Sequence, residues 1–134
     1  MSTSQFSSEK TPDNQVPRRP SEIDAFVDNF LSTVCDTSRR YILELLAVPD
    51  DAALDDKNAS LPERRSGDIA KAIGLSPATT SEHLRQLANA GLVTSRREGN
   101  TVYYQLRNHL LMRAFQDLLK ALDTDYASRI QSQQ

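Results

Sequence analysis

The chain has 134 residues, of which 38% are hydrophobic and 25% charged, which suits one soluble domain with a single core plus tails. Sixteen Lys and Arg against eighteen Asp and Glu give a formal charge of −2; this excludes a uniformly basic coat for nucleic acid but not a local basic patch. A single cysteine, Cys35, excludes an intrachain disulfide and a Cys-rich zinc site, and the two histidines, His83 and His109, do not make up the usual zinc set. No apolar run approaches the roughly 20 residues of a membrane span, and the N-terminus lacks the apolar core of a signal peptide. The expectation is a cytoplasmic protein with no membrane partner.

Residues 1–20 read as a disordered tail, since twelve of them are Ser, Thr, Gln, Asn or Pro and such a segment buries too little to offset its ordering entropy. The ordered domain is expected over 21–127, with 128–134 as a C-terminal tail. A first helix is expected from Ser21, its cap, with Glu22 and Asp24 at the positive dipole end and Ile23, Phe26, Val27, Phe30, Leu31 and Val34 on one stripe. Asp36-Thr37-Ser38 opens a second helix from Arg39 to Val48, which Pro49 ends. Residues 49–63 carry Asp50, Asp51, Asp55, Asp56 and Glu63. They read as an acidic, solvated insertion without the ligand order of a calcium loop.

The stretch 64–107 is the informative one. Ser66 is placed as the cap of a helix holding Ile69, Ala70 and Ile73, which Gly74 stops. Ser76-Pro77 starts another helix, with Ser as N-cap and Pro at the first helical position; it runs to about Ala90 and Gly91 stops it. Two short helices joined by a turn of about three residues have the spacing of a helix-turn-helix. Two β-branched and aromatic segments follow, 92–96 and 101–106, joined by Arg97-Glu98-Gly99-Asn100 as a hairpin turn. The fold expected is therefore mainly α with a small β-hairpin: a winged helix-turn-helix. A last helix, capped by Asn108, carries Leu110, Leu111, Ala114, Phe115, Leu118, Leu119 and Leu122 over half its circumference. That band exceeds what so short a chain can cover. Helices at both ends are therefore assigned to a homodimer interface through Phe26, Phe30, Leu111, Phe115, Leu118 and Leu122.

Projection of helix 77–90 puts Thr80, Leu84, Leu87 and Ala88 inward and Ala78, Thr79, Glu82, Arg85 and Gln86 outward, with Ser81 at the edge. Small polar residues near its start let such a helix enter a major groove. Thr79 and Ser81 offer hydrogen bonds, Ala78 offers contact to a thymine methyl, and Glu82 offers an acceptor for a cytosine amine. Arg85 and Gln86 suit phosphates or flanking bases. Residues 64–107 hold seven Lys/Arg against three Asp/Glu, whereas 44–63 hold one Lys against six Asp/Glu. The basic excess thus sits where phosphate neutralisation needs it. Arg96, Arg97 and Asn100 fall on the wing, 96–101, which suits a minor groove; Arg64, Arg65 and Lys71 could hold the backbone. The partners expected are double-stranded DNA and a second copy of the chain.

Four segments carry a resemblance: Leu31-Ser-Thr-Val-Cys-Asp-Thr-Ser-Arg-Arg-Tyr-Ile-Leu43, Ile69-Ala-Lys-Ala-Ile-Gly-Leu-Ser76, Ser81-Glu-His-Leu-Arg-Gln-Leu-Ala-Asn-Ala-Gly-Leu-Val93 and Arg97-Glu-Gly-Asn-Thr-Val-Tyr-Tyr-Gln-Leu106. The sequence resembles the ArsR/SmtB-like winged-helix regulators over about residues 24–122. The resemblance implies a homodimeric transcriptional regulator, usually a repressor released from its operator by a signal. It puts base contacts on Pro77, Ala78, Ser81 and Glu82, with Glu82 in place of the His often found there. The family's arsenic or cadmium site needs a Cys-x-Cys where this chain has 64–68 without cysteine. Its zinc site on the last helix would fall on Asn108, Leu110, Ala121 and Thr124, with His109 one place off. No metal site and no cofactor are therefore expected, and no inducer is recognisable. His83 is read as a packing or DNA-proximal residue, and Cys35 as a small buried one. Two alternatives stand beside the repressor: a winged helix that binds protein, and a redox-responsive regulator acting through Cys35. No nucleophile–base set or glycine-rich phosphate loop is present, so an enzyme is not expected.

Overall fold

The computed structural model describes Val16 and residues 18–48, 61–107 and 109–133. Most of the N-terminal tail and of the acidic insertion lies outside the described residues, as does Asn108, the expected cap of the last helix. Helix α1 spans Ser21–Val34 and α2 spans Thr37–Leu46. After a two-residue strand, β1 (Arg64–Arg65), come α3 (Ser66–Ile73) and α4 (Pro77–Asn89). Strands β2 (Val93–Glu98) and β3 (Thr101–Leu106) form the hairpin, and α5 (His109–Ser132) closes the chain. The sheet is antiparallel in the order β1-β3-β2.

The local signals act much as the residue types dictate. Asp36 is extended and its Oδ1 accepts from the Arg39 amide at 2.9 Å, which starts α2. Ser76 does the same for α4, its Oγ accepting from the Thr79 amide at 3.1 Å, with Pro77 at the first helical position. Gly74 takes φ +74° after α3, and the Leu75 amide reaches back to the Ala70 carbonyl at 3.1 Å. Only a residue without Cβ adopts that conformation at little cost. Two expected caps differ. Pro20, not Ser21, precedes α1, and its carbonyl accepts from the Ile23 and Asp24 amides. Arg65, not Ser66, precedes α3, and no side chain caps it. In both cases the serine is already the first helical residue, so its hydroxyl lies beyond the capping position.

The core is built where α2, α3, α4, the base of the hairpin and α5 meet. Ile42, Leu46, Ile69, Leu84, Leu87 and Leu92 are wholly buried, with Leu43, Val93, Leu106, Met112 and Phe115 around them. The inward face expected for α4 is found: Thr80, Leu84 and Leu87 are buried and Ala88 half-buried. Helix α1 is fastened to α5 by an edge-to-face contact of Phe30 on Phe115, with ring centroids 6.3 Å apart.

Three features differ from expectation. Strand β1 pairs Arg64 with Tyr104 and Arg65 with Tyr103, adding a third strand to the hairpin. Cys35 is exposed, not buried: it follows the buried pair Thr33–Val34 at the point where the chain leaves the helix, and its side chain turns outward. Helix α5 runs for 24 residues to Ser132, through most of the segment read as a tail, with an Asp125–Arg129 pair at 2.8 Å one turn apart near its end. Among the described residues no helix is long and apolar enough to cross a membrane.

Candidate nucleic-acid interface

Anchoring Leu84 and Leu87 in the core fixes which side of α4 faces out. Pro77, Ala78, Thr79, Ser81, Glu82 and Arg85 are exposed, and Gln86 is half-buried at the edge. The first two turns of this face carry no side chain longer than threonine apart from Glu82. The Thr79 hydroxyl accepts from Ser76 Oγ at 3.0 Å and keeps its own proton for a partner. Beside it the hairpin projects as a wing. Its turn is Gly99-Asn100, with Gly99 at φ +63°, as a tight two-residue connection requires.

Charge on the wing is arranged unequally. Arg96 lies on the outer sheet face, opposite Tyr103, its guanidinium 4.6 Å from the ring centre. It donates through Nε and Nη2 to Glu63, each at 3.0 Å, and through Nη1 to Glu98 at 2.9 Å. These bonds hold the Glu63 carboxyl below its ordinary range and raise the Arg96 guanidinium further. Arg96 is therefore a brace that ties the wing to the segment before β1, and its charge is balanced locally. Arg97, one residue on, points to the other face opposite Val102, is exposed, and meets no carboxylate among the described residues.

The cations expected to hold the backbone also divide. Arg64 turns inward, Nη2 donating to the Val48 carbonyl at 3.1 Å, and ties the end of α2 to the sheet. Arg65, whose Nε lies 3.9 Å from Asp68 Oδ2, and Lys71 stay outside and line, with Ser66, Gly67, Asp68, Asn100 and Thr101, a cleft of about 290 Å³ between α3 and the wing tip. A second cleft, of about 420 Å³, separates α1 from the later turns of α4 and is lined by polar groups including Arg39, Arg85 and Asn89. Arg39 there donates to the Thr33 carbonyl at 2.6 Å and lies 3.4 Å from His83 Nδ1, so His83 packs at the joint of α1, α2 and α4.

Sequence reasoning missed the Glu63–Arg96 brace. By composition Glu63 belongs to the acidic insertion, and nothing local links it to a residue 33 positions later. The six residues assigned to a dimer interface separate in the protomer. Phe115 is buried, Phe30 and Leu111 are half-buried, and Phe26, Leu118 and Leu122 are exposed. The exposed stripe of α5 continues through Tyr126 and Ile130 at four-residue spacing. Among the described residues no group of three or more His, Cys, Asp or Glu side chains could hold a metal ion.

A sequence profile of bacterial regulatory proteins of the arsR family matches residues 60–95, from just before β1 through α4 to the start of the wing. The transcriptional repressor SdpR of Bacillus subtilis is 31% identical over 85 residues, which is 63% of this chain and 80% of that protein. This chain belongs to the arsR family of bacterial regulatory proteins. The cadmium resistance regulator CadC of Listeria innocua is 33% identical over 82 residues, 61% of this chain; the match spans 59% of that protein, about three fifths of its length. Among solved structures, the homodimeric winged helix-turn-helix DNA-binding domain of Mb0332 from Mycobacterium bovis superposes with a TM-score of 0.64 at 28% identity. It covers 81% of this chain and 89% of that one. The winged helix-turn-helix fold of this arsR-family chain is thereby shown.

Proposed function

We propose that the chain is a sequence-specific DNA-binding transcriptional regulator, a homodimeric repressor that places α4 in the major groove and the wing at the minor groove. The observation that carries the reading is the outward face of α4: small and polar over its first turns, held rigid by Leu84 and Leu87 beneath, and flanked by a wing carrying Arg97, which meets no carboxylate among the described residues. Major-groove entry needs that shape, and phosphate neutralisation needs the flanking cations Arg97, Arg65 and Lys71. Pro77, Ala78, Thr79, Ser81 and Glu82 read or border the bases, Arg85 and Gln86 lie further along, and Asn100 sits at the wing tip. Arg96 contributes by bracing the wing. The second copy packs on the exposed apolar stripes of α1 and α5, where Phe26, Leu118 and Leu122 lie open to solvent. SdpR's name as a repressor and the homodimeric state of the Mb0332 domain support the same reading.

The test is binding of the purified chain to the DNA upstream of its own gene, against a random duplex, across a salt series, with sedimentation on the same sample. The proposal expects a dimer that prefers the upstream DNA and whose affinity falls steeply with salt. A monomer, or equal binding to both duplexes at every salt, refutes it.

A further inference from the structure

We infer that Glu82 and Arg85 form one guanine-reading subsite on α4, in which Arg85 touches the base and Glu82 is a positioning residue. The inference rests on the DNA-binding reading above and replaces the role that the sequence assigned to Glu82, an acceptor for cytosine.

Three polar side chains of this face, Glu82, Arg85 and Gln86, do not act separately. Arg85 Nε donates to Glu82 Oε1 at 3.2 Å and Arg85 Nη2 donates to Glu82 Oε2, so the guanidinium fork grips the carboxylate with two bonds. Gln86 Nε2 donates to the same Oε2 at 3.1 Å. Spacings of three and four residues bring all three onto one side of the helix. A guanidinium has five N–H donors and a carboxylate about four acceptor sites. Glu82 has therefore spent most of its acceptor capacity inside the helix, while Arg85 keeps most of its donors. The spot that looks like an acceptor in the sequence is a donor in the structure. The bonds from Arg85 and then Gln86 hold the Glu82 carboxyl below its ordinary range, so it stays ionised at neutral pH.

Charge decides between the two surfaces a donor could meet in DNA. The Glu82–Arg85 pair is neutral as a unit. A phosphate approaching Arg85 would also approach the Glu82 carboxylate, and like charges disfavour that contact. The major-groove edge of guanine is uncharged and offers two acceptors, O6 and N7, to which an arginine fork fits. The Arg85 and Glu82 side chains are 61% and 50% exposed, so solvent reaches the pair and a base edge can too. Glu82 restricts the rotamers of a long side chain before binding, which reduces the ordering cost on the DNA.

The experiment is selection of binding sequences from a random duplex library by the full chain and by Glu82→Gln, Arg85→Gln and Arg85→Lys, followed by a salt titration on the sequence that wild type selects. Both positions are exposed, and melting curves on each variant establish that the fold is intact. Wild type is expected to enrich guanine at one position of each half-site. Glu82→Gln and Arg85→Gln are expected to relax that same position, each losing about tenfold or more in discrimination. Arg85→Lys keeps the charge, and so the salt slope, but loses the fork and the guanine preference. The inference is overturned if Glu82→Gln changes a cytosine position that Arg85→Gln leaves alone. It is also overturned if Arg85→Gln weakens all sequences equally and flattens the salt slope, which would place Arg85 on phosphate. A wild type that enriches no sequence overturns the DNA-binding reading itself, and this subsite with it.

Discussion

Replacing Arg97 with Gln removes the cation that the wing leaves unbalanced. Arg97 is exposed, opposite Val102 near the tip of the hairpin, with no carboxylate beside it among the described residues. Each phosphate charge neutralised contributes about 0.9 to the slope of log affinity against log salt for duplex DNA. A dimer loses one such contact per protomer, so the slope should fall in magnitude by about 1.8. Over the fourfold range from about 50 to about 200 mM salt, wild type's advantage over the variant should then shrink about twelvefold. Fluorescence anisotropy with a labelled operator duplex at several salt concentrations measures this directly. Arg129→Gln is the control: Arg129 is paired with Asp125 near the far end of α5, and its removal should leave the slope unchanged. If Arg97→Gln shifted base preference and kept the wild-type slope, the placing of the wing against the backbone and minor groove would be wrong.

Three further outcomes are expected. Leu84 is wholly buried beneath the outward face of α4, so Leu84→Ala should cost about 2–5 kcal/mol in a denaturant melt, with DNA affinity falling only as far as the folded fraction does. Asp36→Ala removes the cap of α2 and should cost about 1 kcal/mol at neutral pH. The hydrogen bond donated by the Arg39 backbone N–H holds the Asp36 carboxyl below its ordinary value of 3.8. Its contribution is therefore present above that value and lost as pH falls through the lower folded value, so urea midpoints of the two proteins should converge in acid. Leu118→Lys together with Leu122→Lys puts charge on the exposed stripe of α5; sedimentation should give a monomer with an unchanged circular dichroism spectrum, and a persisting dimer would remove that stripe from the interface.

How far the sequence could be read depended on the range of the interaction. Helix starts and stops rest on neighbours within four residues, so Asp36, Ser76-Pro77 and Gly74 were legible, as was the inward face of α4; the turn expected over 97–100 narrows to Gly99-Asn100, because Arg97 and Glu98 pair with Val102 and Thr101 as part of β2. Strand β1 was not, because Arg64–Arg65 is too short to show an alternation and its pairing with Tyr103 and Tyr104 is set by the tertiary fold. For the same reason Arg64 and Arg96 looked like free cations, although one holds the Val48 carbonyl and the other is gripped by Glu63 and Glu98. The reach of α5 is legible in the four-residue repeat of Leu118, Leu122, Tyr126 and Ile130, whereas the apolar band expected from the sequence ends at Leu122. Cys35 reads as buried from its place between two apolar helices, but α1 ends there and the residue is exposed. On α4 the sequence identified Glu82, Arg85 and Gln86 as outward, while their mutual bonds depend on rotamers that spacing alone does not determine.

The proposed function requires the outward face of α4 and the wing to contact DNA together. Amide chemical-shift mapping of the ¹⁵N-labelled chain, titrated with the duplex from upstream of its gene, tests it most directly. The largest changes are expected on residues 77–86 and 96–101, with the start of α3 next and the exposed face of α2 around Tyr41 unaffected. Changes confined to other surfaces, with 77–86 silent at saturation, would contradict it.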